Sequence, residues 1–317
     1  MFLKEIKQKI NSTQRISQVT RALELISAVK MRKAQKIALS SRPFAQKVIE
    51  ILNRLAQYQK GYLKENSFYF QHRKLKKNLV VVVSSDKGFC GSFNKNILKF
   101  TEKEAREIEK TAPVEVMAIG KKAVAFFRKK DFKIKVEFTG IGDYGEFEEV
   151  KPIARLLLRY FQENQFQKIY LFYADFISSF IQKPKKIQLL PLAPEALQKM
   201  LRKSALVSYG SAEGRKAGKF AKREREPEAG GGYDYIFEPS REKIFESLTP
   251  QLIEFEIYHT ILEANASEHS ARMMAMRNAC QNAKDIIEEL TLNYNKVRQN
   301  QITSEVSEIS SAKQVIK

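Results

Sequence analysis

A glycine-containing turn, SSDKGFCGSFN at residues 84–94, has residue types that resemble those of a chemical site. It follows the apolar run LVVVV, residues 79–83, and precedes a segment with helical character. In many α/β proteins such a turn binds a phosphate group at the N-terminus of the next helix. Nucleotide binding is therefore the first chemistry to consider for this turn.

The spacing of the glycines argues against that chemistry. A Walker-type loop has four residues between its glycines and then Lys followed by Ser or Thr, and a dinucleotide fingerprint has three glycines. The turn has only Gly88 and Gly91, with two residues between them. The favoured interpretation is a tight strand-to-helix turn in which Ser85 or Asp86 bonds local backbone donors. Phosphate binding is the less favoured alternative.

The rest of the sequence offers no catalytic group to this turn. Cys90 would need a neighbouring base to act as a nucleophile, and His72, His259 and His269 are all distant from it in sequence. Cys90 and Cys280 are too few for a disulfide framework, and HExxH and CxxC motifs are absent from the sequence. We therefore predict a chain that is not an enzyme by itself and that has no cofactor and no metal site.

An alternation of strands and helices must position the turn. Strand-like runs alternate with helical segments at about 94–111, 121–130 and 146–163, which predicts βαβ units and a mainly parallel sheet. The last two runs are closely spaced, which predicts an antiparallel edge. The strand-like runs are 78–84, 114–120, 132–138, 168–174 and 185–192. Together they define a Rossmann-like α/β domain at 76–200.

The N-terminal segment has the pattern of a long helix. From Leu3 to about residue 58, apolar residues such as Leu23 and Ile26 recur at helical spacing, which assigns them to a packing seam. Pro43 is the one irregularity and should kink or break the helix. We expect this helix, residues 1–60, to pack along an equally long partner.

The C-terminal segment supplies that partner. From Ala266, apolar positions alternate steps of three and four residues for more than four heptads, which is typical of a coiled coil. The helix is predicted from Pro250 to about Lys313. The expected fold is a long antiparallel two-helix coiled coil with a central α/β domain. Its seam on this side includes Met273, Met276, Ala283, Ile287 and Leu290.

Charge is unevenly distributed along the chain. The net charge is +20, and residues 1–77 hold 18 Lys and Arg against four Asp and Glu. Residues 240–317 hold nine against 11. A basic half of this kind favours a polyanionic partner, either nucleic acid or an acidic protein or membrane surface. A Gly-, Lys- and Arg-rich stretch at 201–232 is predicted to be a flexible basic insertion that precedes the C-terminal region, 233–317.

The two ends of the chain resemble one protein family. LKEIKQKINSTQRISQVTRALELISAVKMRKAQ, residues 3–35, resembles the start of the γ subunit of F-type ATP synthases. ASEHSARMMAMRNACQNAKDIIEELTLNYNKVRQNQITSEVSEI, residues 266–309, resembles its C-terminal helix. The turn after the first strand and YDYIFEPS, residues 233–240, also match, in the family's order.

The resemblance implies a non-catalytic rotor subunit. Its coiled coil would be the central shaft inside a ring of ATP synthase alpha and beta subunits. Its foot would meet the epsilon subunit and the membrane c-ring. The complex would place it on the cytoplasmic side of a bacterial cell membrane, as a peripheral protein. Membrane association would come only through the complex, and nucleic acid would not be a partner.

The resemblance also assigns contact residues. On the basic helix, ring contacts fall on Lys30, Arg32 and Lys33. Foot contacts with the epsilon subunit and rotor ring fall on Tyr233 and Tyr235. Ring contacts near the upper part of the shaft fall on Arg298, Gln299, Thr303, Glu305 and Glu308.

Two other classes of function remain as alternatives. A basic nucleic-acid-binding coiled coil would explain the net charge, but the sequence has no basic motif rich in aromatic residues. A small nucleotide-dependent enzyme could be built on the central sheet. Neither alternative explains the long matching termini.

Overall fold

The computed structural model describes residues 3–40, 47–48, 51, 68–70, 77–142, 146–192, 238 and 240–315. The chain divides into two compact units. Residues 1–28 and 272–317 form the helical unit, and residues 29–271 form the sheet unit. Pro43, Tyr233, Tyr235 and the 201–232 insertion lie outside the described residues, as do the domain boundaries predicted near 60, 76, 200 and 232.

The sheet unit contains five strands in the order β3-β2-β1-β4-β5. Strands β1, β2, β3 and β4 run parallel, and β5 pairs antiparallel with β4 at one edge. This confirms the predicted parallel sheet with an antiparallel edge. The strands are β1 Asn78–Val83, β2 Val114–Ile119, β3 Lys133–Phe138, β4 Lys168–Phe176 and β5 Gln182–Leu190.

Helices cover both faces of this sheet. One core cluster joins the sheet to α2 (Phe93–Glu109) and α3 (Lys121–Arg128), and another joins it to α4 (Phe147–Gln162) and to residues 252–264 of the C-terminal helix. Every residue of β1 and β2 is buried as a result. A strand covered on both faces needs a continuous apolar run, which is why β1 reads NLVVVV.

The terminal helices are α1 (Leu3–Ser40) and α5 (Arg241–Val315). The prediction that the C-terminal helix begins at Pro250 is wrong, because α5 begins nine residues earlier, at Arg241, directly after Ser240. The Ser240 hydroxyl accepts the N–H of Lys243 at 3.3 Å, and its carbonyl accepts the N–H of Ile244 at 3.2 Å. Pro250 lies inside the helix, where proline removes one backbone hydrogen bond without ending it. No helix among the described residues is long and apolar enough to cross a membrane.

A buried ion cluster ties together the starting ends of the first three strands. Glu115 on β2 is 4% exposed, and its Oε1 accepts Lys77 Nζ at 3.0 Å and Lys133 Nζ at 2.9 Å. Burial alone would raise the pKa of this carboxyl. The hydrogen bonds and charges of the two lysines outweigh that effect and lower the pKa below its usual value.

Candidate functional site

The turn after β1 is fixed by its own side chains. Asp86 accepts the backbone N–H groups of Lys121 and Gly140, both at 2.8 Å, and Ser84 Oγ accepts the N–H of Ala123 at 2.8 Å. The Asp86 donors lie 35 and 54 residues further along the chain, so the prediction of local donors is wrong for this residue. Only a folded sheet brings them to the turn.

These hydrogen bonds occupy one place at this edge of the sheet where a phosphate could bind, the start of α3 rather than the start of α2. Lys121 and Ala123 are in the first turn of α3, whose N–H groups point outward at the carboxyl edge of the sheet. Phosphate-binding α/β proteins present such groups to the ligand. Here Asp86 and Ser84 already accept the N–H groups of these two residues, which supports the structural interpretation of the turn.

Cys90 belongs to a second hydrogen-bonded cluster in the same turn. The Asn94 amide donates to Ser85 Oγ at 2.7 Å and to Cys90 Sγ at 3.0 Å, while the Ser85 N–H donates to Asn94 Oδ1 at 3.1 Å. The thiol is 3% exposed and packs against Phe93 and Ala174. The sulfur therefore acts here as a buried acceptor and packing group.

A cavity of about 260 Å³ lies beside Asp86, between the ends of β1 and β2 and residues 261–269 of α5. His269 lines this cavity and is 2% exposed. Asn265 also lines it, and its amide nitrogen has no hydrogen-bond partner among the described residues. In those same residues, His, Cys, Asp and Glu side chains form no group of three or more that could hold a metal ion.

In the helical unit, the most buried positions of α5 lie on one face. Met276 is 6% exposed, Cys280 6% and Ala283 4%, and the alternating steps of three and four residues place them on one face. The remaining seam positions, Met273, Ile287, Leu290, Tyr294 and Val297, are partly buried.

The seam of α1 differs from the prediction. Leu23 is partly buried, but Ile26 is 50% exposed and its neighbour Ser27 is 2% exposed. The assignment of Ile26 to the seam is therefore wrong. The buried or partly buried row begins at Ile6 and Ile10 and continues, at heptad spacing, through the small polar residues Thr13, Ser17, Thr20 and Ser27.

The exposed apolar row of α1 is a feature that the sequence reasoning missed. Ile16 is 54% exposed, Val19 59% and Ile26 50%. Their positions fit a second stripe that runs through Leu23 in steps of three and four. Both stripes are visible in the sequence of α1. The predicted seam combined residues from the two stripes, because both recur at helical spacing.

The burial pattern fixes the direction of the two helices. Ser17 Oγ lies 3.6 Å from Cys280 Sγ. Leu3 lies 14 residues before Ser17, and Tyr294 lies 14 residues after Cys280. Burial on α5 ends at Val297, and residues 298–309 are all exposed. An antiparallel pair places Leu3 opposite Tyr294, so α5 loses its partner where burial stops. This confirms the predicted antiparallel coiled coil.

The predicted contact residues lie on exposed helix surface in both units. Arg298, Gln299, Thr303, Glu305 and Glu308 are all exposed at the unpaired end of α5, beside the exposed apolar Ile302 and Val306. In the sheet unit, Arg32 and Lys33 are exposed and Lys30 is half-buried. No comparison tests their contacts, so these assignments stay predictions.

Comparison with known proteins agrees with this architecture. A family model described as ATP synthase matches residues 2–315. The ATP synthase gamma chain of Pelotomaculum thermopropionicum is 34% identical over 307 residues, covering 97% of this chain and 96% of the relative. The chain belongs to the ATP synthase gamma chain family. The gamma chain of Chloroflexus aurantiacus, 35% identical over 311 residues, covers the same 97% of this chain and 96% of its own length.

Solved structures share the family's fold. A chain of the Euglena gracilis mitochondrial ATP synthase (OSCP/F1/c-ring, rotational state 3) matches with a TM-score of 0.60 and 15% identity, over 99% of this chain and 94% of that chain. A chain of the Tetrahymena thermophila central stalk and c-ring matches with a TM-score of 0.55 and 21% identity, over 82% of this chain and 99% of that chain. The resemblance seen at the two termini is thus confirmed over the full length.

Proposed function

We propose that this chain is the non-catalytic central-stalk subunit of an F-type ATP synthase. The observation that carries the proposal is the family match over 97% of the chain, which includes both helices of the coiled coil. The stalk couples rotation of the membrane ring to the conformational cycle of the alpha and beta subunits, where ATP is made or hydrolysed. The chain itself transmits the motion, and the surrounding complex is the enzyme.

The helical unit suits mechanical coupling. Its two helices satisfy their backbone hydrogen bonds internally and pack along a continuous seam, so the pair resists bending and twisting over its length. A rotating shaft can favour a different state of each catalytic site only if its faces differ. The exposed row through Ile16, Val19 and Ile26 makes one face of α1 apolar, whereas the exposed end of α5 mixes charged and polar groups with apolar ones.

As the central stalk, the chain would contact the ring of alpha and beta subunits through two sets of residues. Lys30, Arg32 and Lys33 would meet acidic groups of the beta subunits as the stalk turns. The exposed groups at the end of α5, Arg298, Gln299, Thr303, Glu305 and Glu308, would contact the inner surface of the alpha and beta ring. All of these side chains except the half-buried Lys30 are exposed, which supports the proposal because a contact surface must be accessible in the isolated chain.

The foot would join the rotor in the membrane. Tyr233 and Tyr235 would contact the epsilon subunit and the c-ring. The chain would take a peripheral position at the cell membrane, on the cytoplasmic side, held there through the complex.

Reconstitution tests the proposed function. The full chain, mixed with purified alpha and beta subunits of the same complex, should enter one complex on size-exclusion chromatography and raise ATP turnover above that of alpha and beta alone. A chain that neither co-elutes with the ring nor changes its ATP turnover would contradict the stalk assignment.

A further inference from the structure

A shallow groove runs along the outer face of α4 in the sheet unit, beside the edge strand β3. Its volume is about 450 Å³. Phe138 at the end of β3, with Pro152 and Leu156 of α4, supplies apolar surface, and Glu148, Lys151, Arg155 and Arg159 complete the lining. The groove combines apolar surface with three basic side chains.

The basic side chains form one row. Lys151, Arg155 and Arg159 are spaced four residues apart, so they lie on the same face of the helix, opposite the residues that pack on the sheet. Two helical turns separate the first from the last, a distance of about 12 Å along the axis. A row of this length matches carboxylates at a similar spacing on an adjacent peptide.

The charge of this row is only partly neutralised within the chain. Lys151 Nζ lies 3.3 Å from Glu148 Oε1, and Arg155 Nε lies 3.8 Å from Glu254 Oε1, with the Arg155 side chain 65% exposed. The Arg159 guanidinium has no hydrogen bond or ion pair with another residue that the structure describes. Two guanidinium groups are therefore available for bidentate bonds to carboxylates.

We propose that this groove is a docking site for an acidic peptide segment of another polypeptide. Carboxylates of the segment pair with Arg155 and Arg159, and an apolar side chain between them packs on Phe138 and Leu156. A peptide fits better than a small anion, because one anion would engage a single guanidinium and leave the apolar surface uncovered. The site goes beyond the contacts that the stalk function requires.

The test measures binding of a defined probe to the full chain. The probe is a fluorescein-labelled peptide of about 12 residues, long enough for the row, with Glu at every fourth position and Leu between them. Fluorescence anisotropy should show binding that weakens at least about tenfold in the double variant Arg155→Glu and Arg159→Glu. The matched control is Lys99→Glu with Lys103→Glu, two exposed lysines four residues apart on α2. It makes the same change in net charge and should alter the Kd by less than about twofold.

Further measurements distinguish the docking site from general charge attraction. Leu156→Asp should also weaken binding, and a probe with Gln in place of Glu should not bind measurably. Circular dichroism establishes that each variant is folded, and the single variant Arg159→Gln replaces the double one if that fails to fold. Equal weakening in both double variants would overturn the proposal. So would equally tight, Arg159-dependent binding of inorganic phosphate or of phosphatidylglycerol vesicles. ATP turnover is not a readout here, so a negative result leaves the stalk assignment standing.

Discussion

Gly120 is a residue whose conformation the fold dictates. It follows β2 with φ +97°, and a Cβ at this position would meet the carbonyl and hydroxyl oxygens of Ser84. Only glycine adopts such a conformation without strain. The residue thus permits the close approach of β1 and β2 that lets Ser84 cap α3.

Replacement of Gly120 by Ala should lower the free energy of unfolding by about 1–3 kcal/mol, because backbone strain adds to the collision with Ser84. Urea denaturation followed by circular dichroism measures the change. Gly88→Ala is the control, since a Cβ there meets nothing within 4 Å, and it should be nearly neutral. Equal stability of the two variants would contradict the described geometry.

Glu115→Gln tests the buried ion cluster and its pH dependence. Because the folded pKa of Glu115 is lowered, its carboxylate stabilises the fold above the unfolded pKa of about 4.3, and this contribution disappears as the pH falls through the folded value. At neutral pH the free energy of unfolding of the variant should be lower by about 1 kcal/mol. The effect is small because the partner lysines are largely solvated, and solvent screens their charges.

Unfolding titrations at pH 7 and at about pH 3 provide the measurement. The difference between wild type and Glu115→Gln should shrink at the lower pH. Glu107→Gln, at an exposed ion pair with Lys110, should show a much smaller effect at neutral pH. A difference that stayed constant with pH would show that the charge of Glu115 does not stabilise the fold.

At the scale of elements, the seam of the two helices accepts only small side chains near its middle. Ala283 is 4% exposed and lies one step of three residues from Cys280, which contacts Ser17. Such narrow positions allow the helix backbones to approach closely. They also leave no room for a larger side chain.

Ala283→Trp should therefore overpack the pair and lower the stability of the helical unit by about 1–3 kcal/mol, with a matching fall in the thermal midpoint. The neighbouring variant Asn282→Trp places the same ring on exposed surface and should leave the midpoint nearly unchanged. Differential scanning calorimetry compares the two. An unchanged midpoint in both would rule out Ala283 as a seam residue.

The elements themselves were largely predictable from local pattern. Strands β1, β2 and β3 agree with prediction within a residue at each end, because an apolar run such as that of β1 and the apolar–polar alternation of β3 are both local signals. Ile26 was misassigned because hydrophobicity alone cannot decide which of two apolar stripes is buried. The partners of Asp86 could not be predicted, since hydrogen bonds across 35 and 54 residues depend on the assembled sheet.

At the scale of the whole molecule, the excess of positive charge is concentrated toward the N-terminus. Lys30, Arg32 and Lys33 lie in this basic part, and in the proposed stalk they face acidic surfaces of the surrounding ring. Attraction between such surfaces acts mainly on association and falls with salt. The family could be recognised from the termini, whereas the contact surfaces depend on subunits that this sequence does not encode.

Reversal of this charge tests the ring contact. The triple variant Lys30→Glu, Arg32→Glu and Lys33→Glu should reduce the stimulation of ATP turnover in reconstituted rings by at least about fivefold at low salt, and less at high salt. Lys99→Glu with Lys103→Glu serves as a control on the sheet unit. Full stimulation by the triple variant would remove these three residues from the proposed contact.

The carboxylate of Asp86 also has a regulatory consequence. A phosphate compound that approached the start of α3 would have to displace a competitor that is tethered by the backbone and therefore always present at high effective concentration. A phosphate compound therefore gains little by binding at the start of α3. The start of α3 therefore keeps one arrangement whether the concentration of phosphate compounds is high or low.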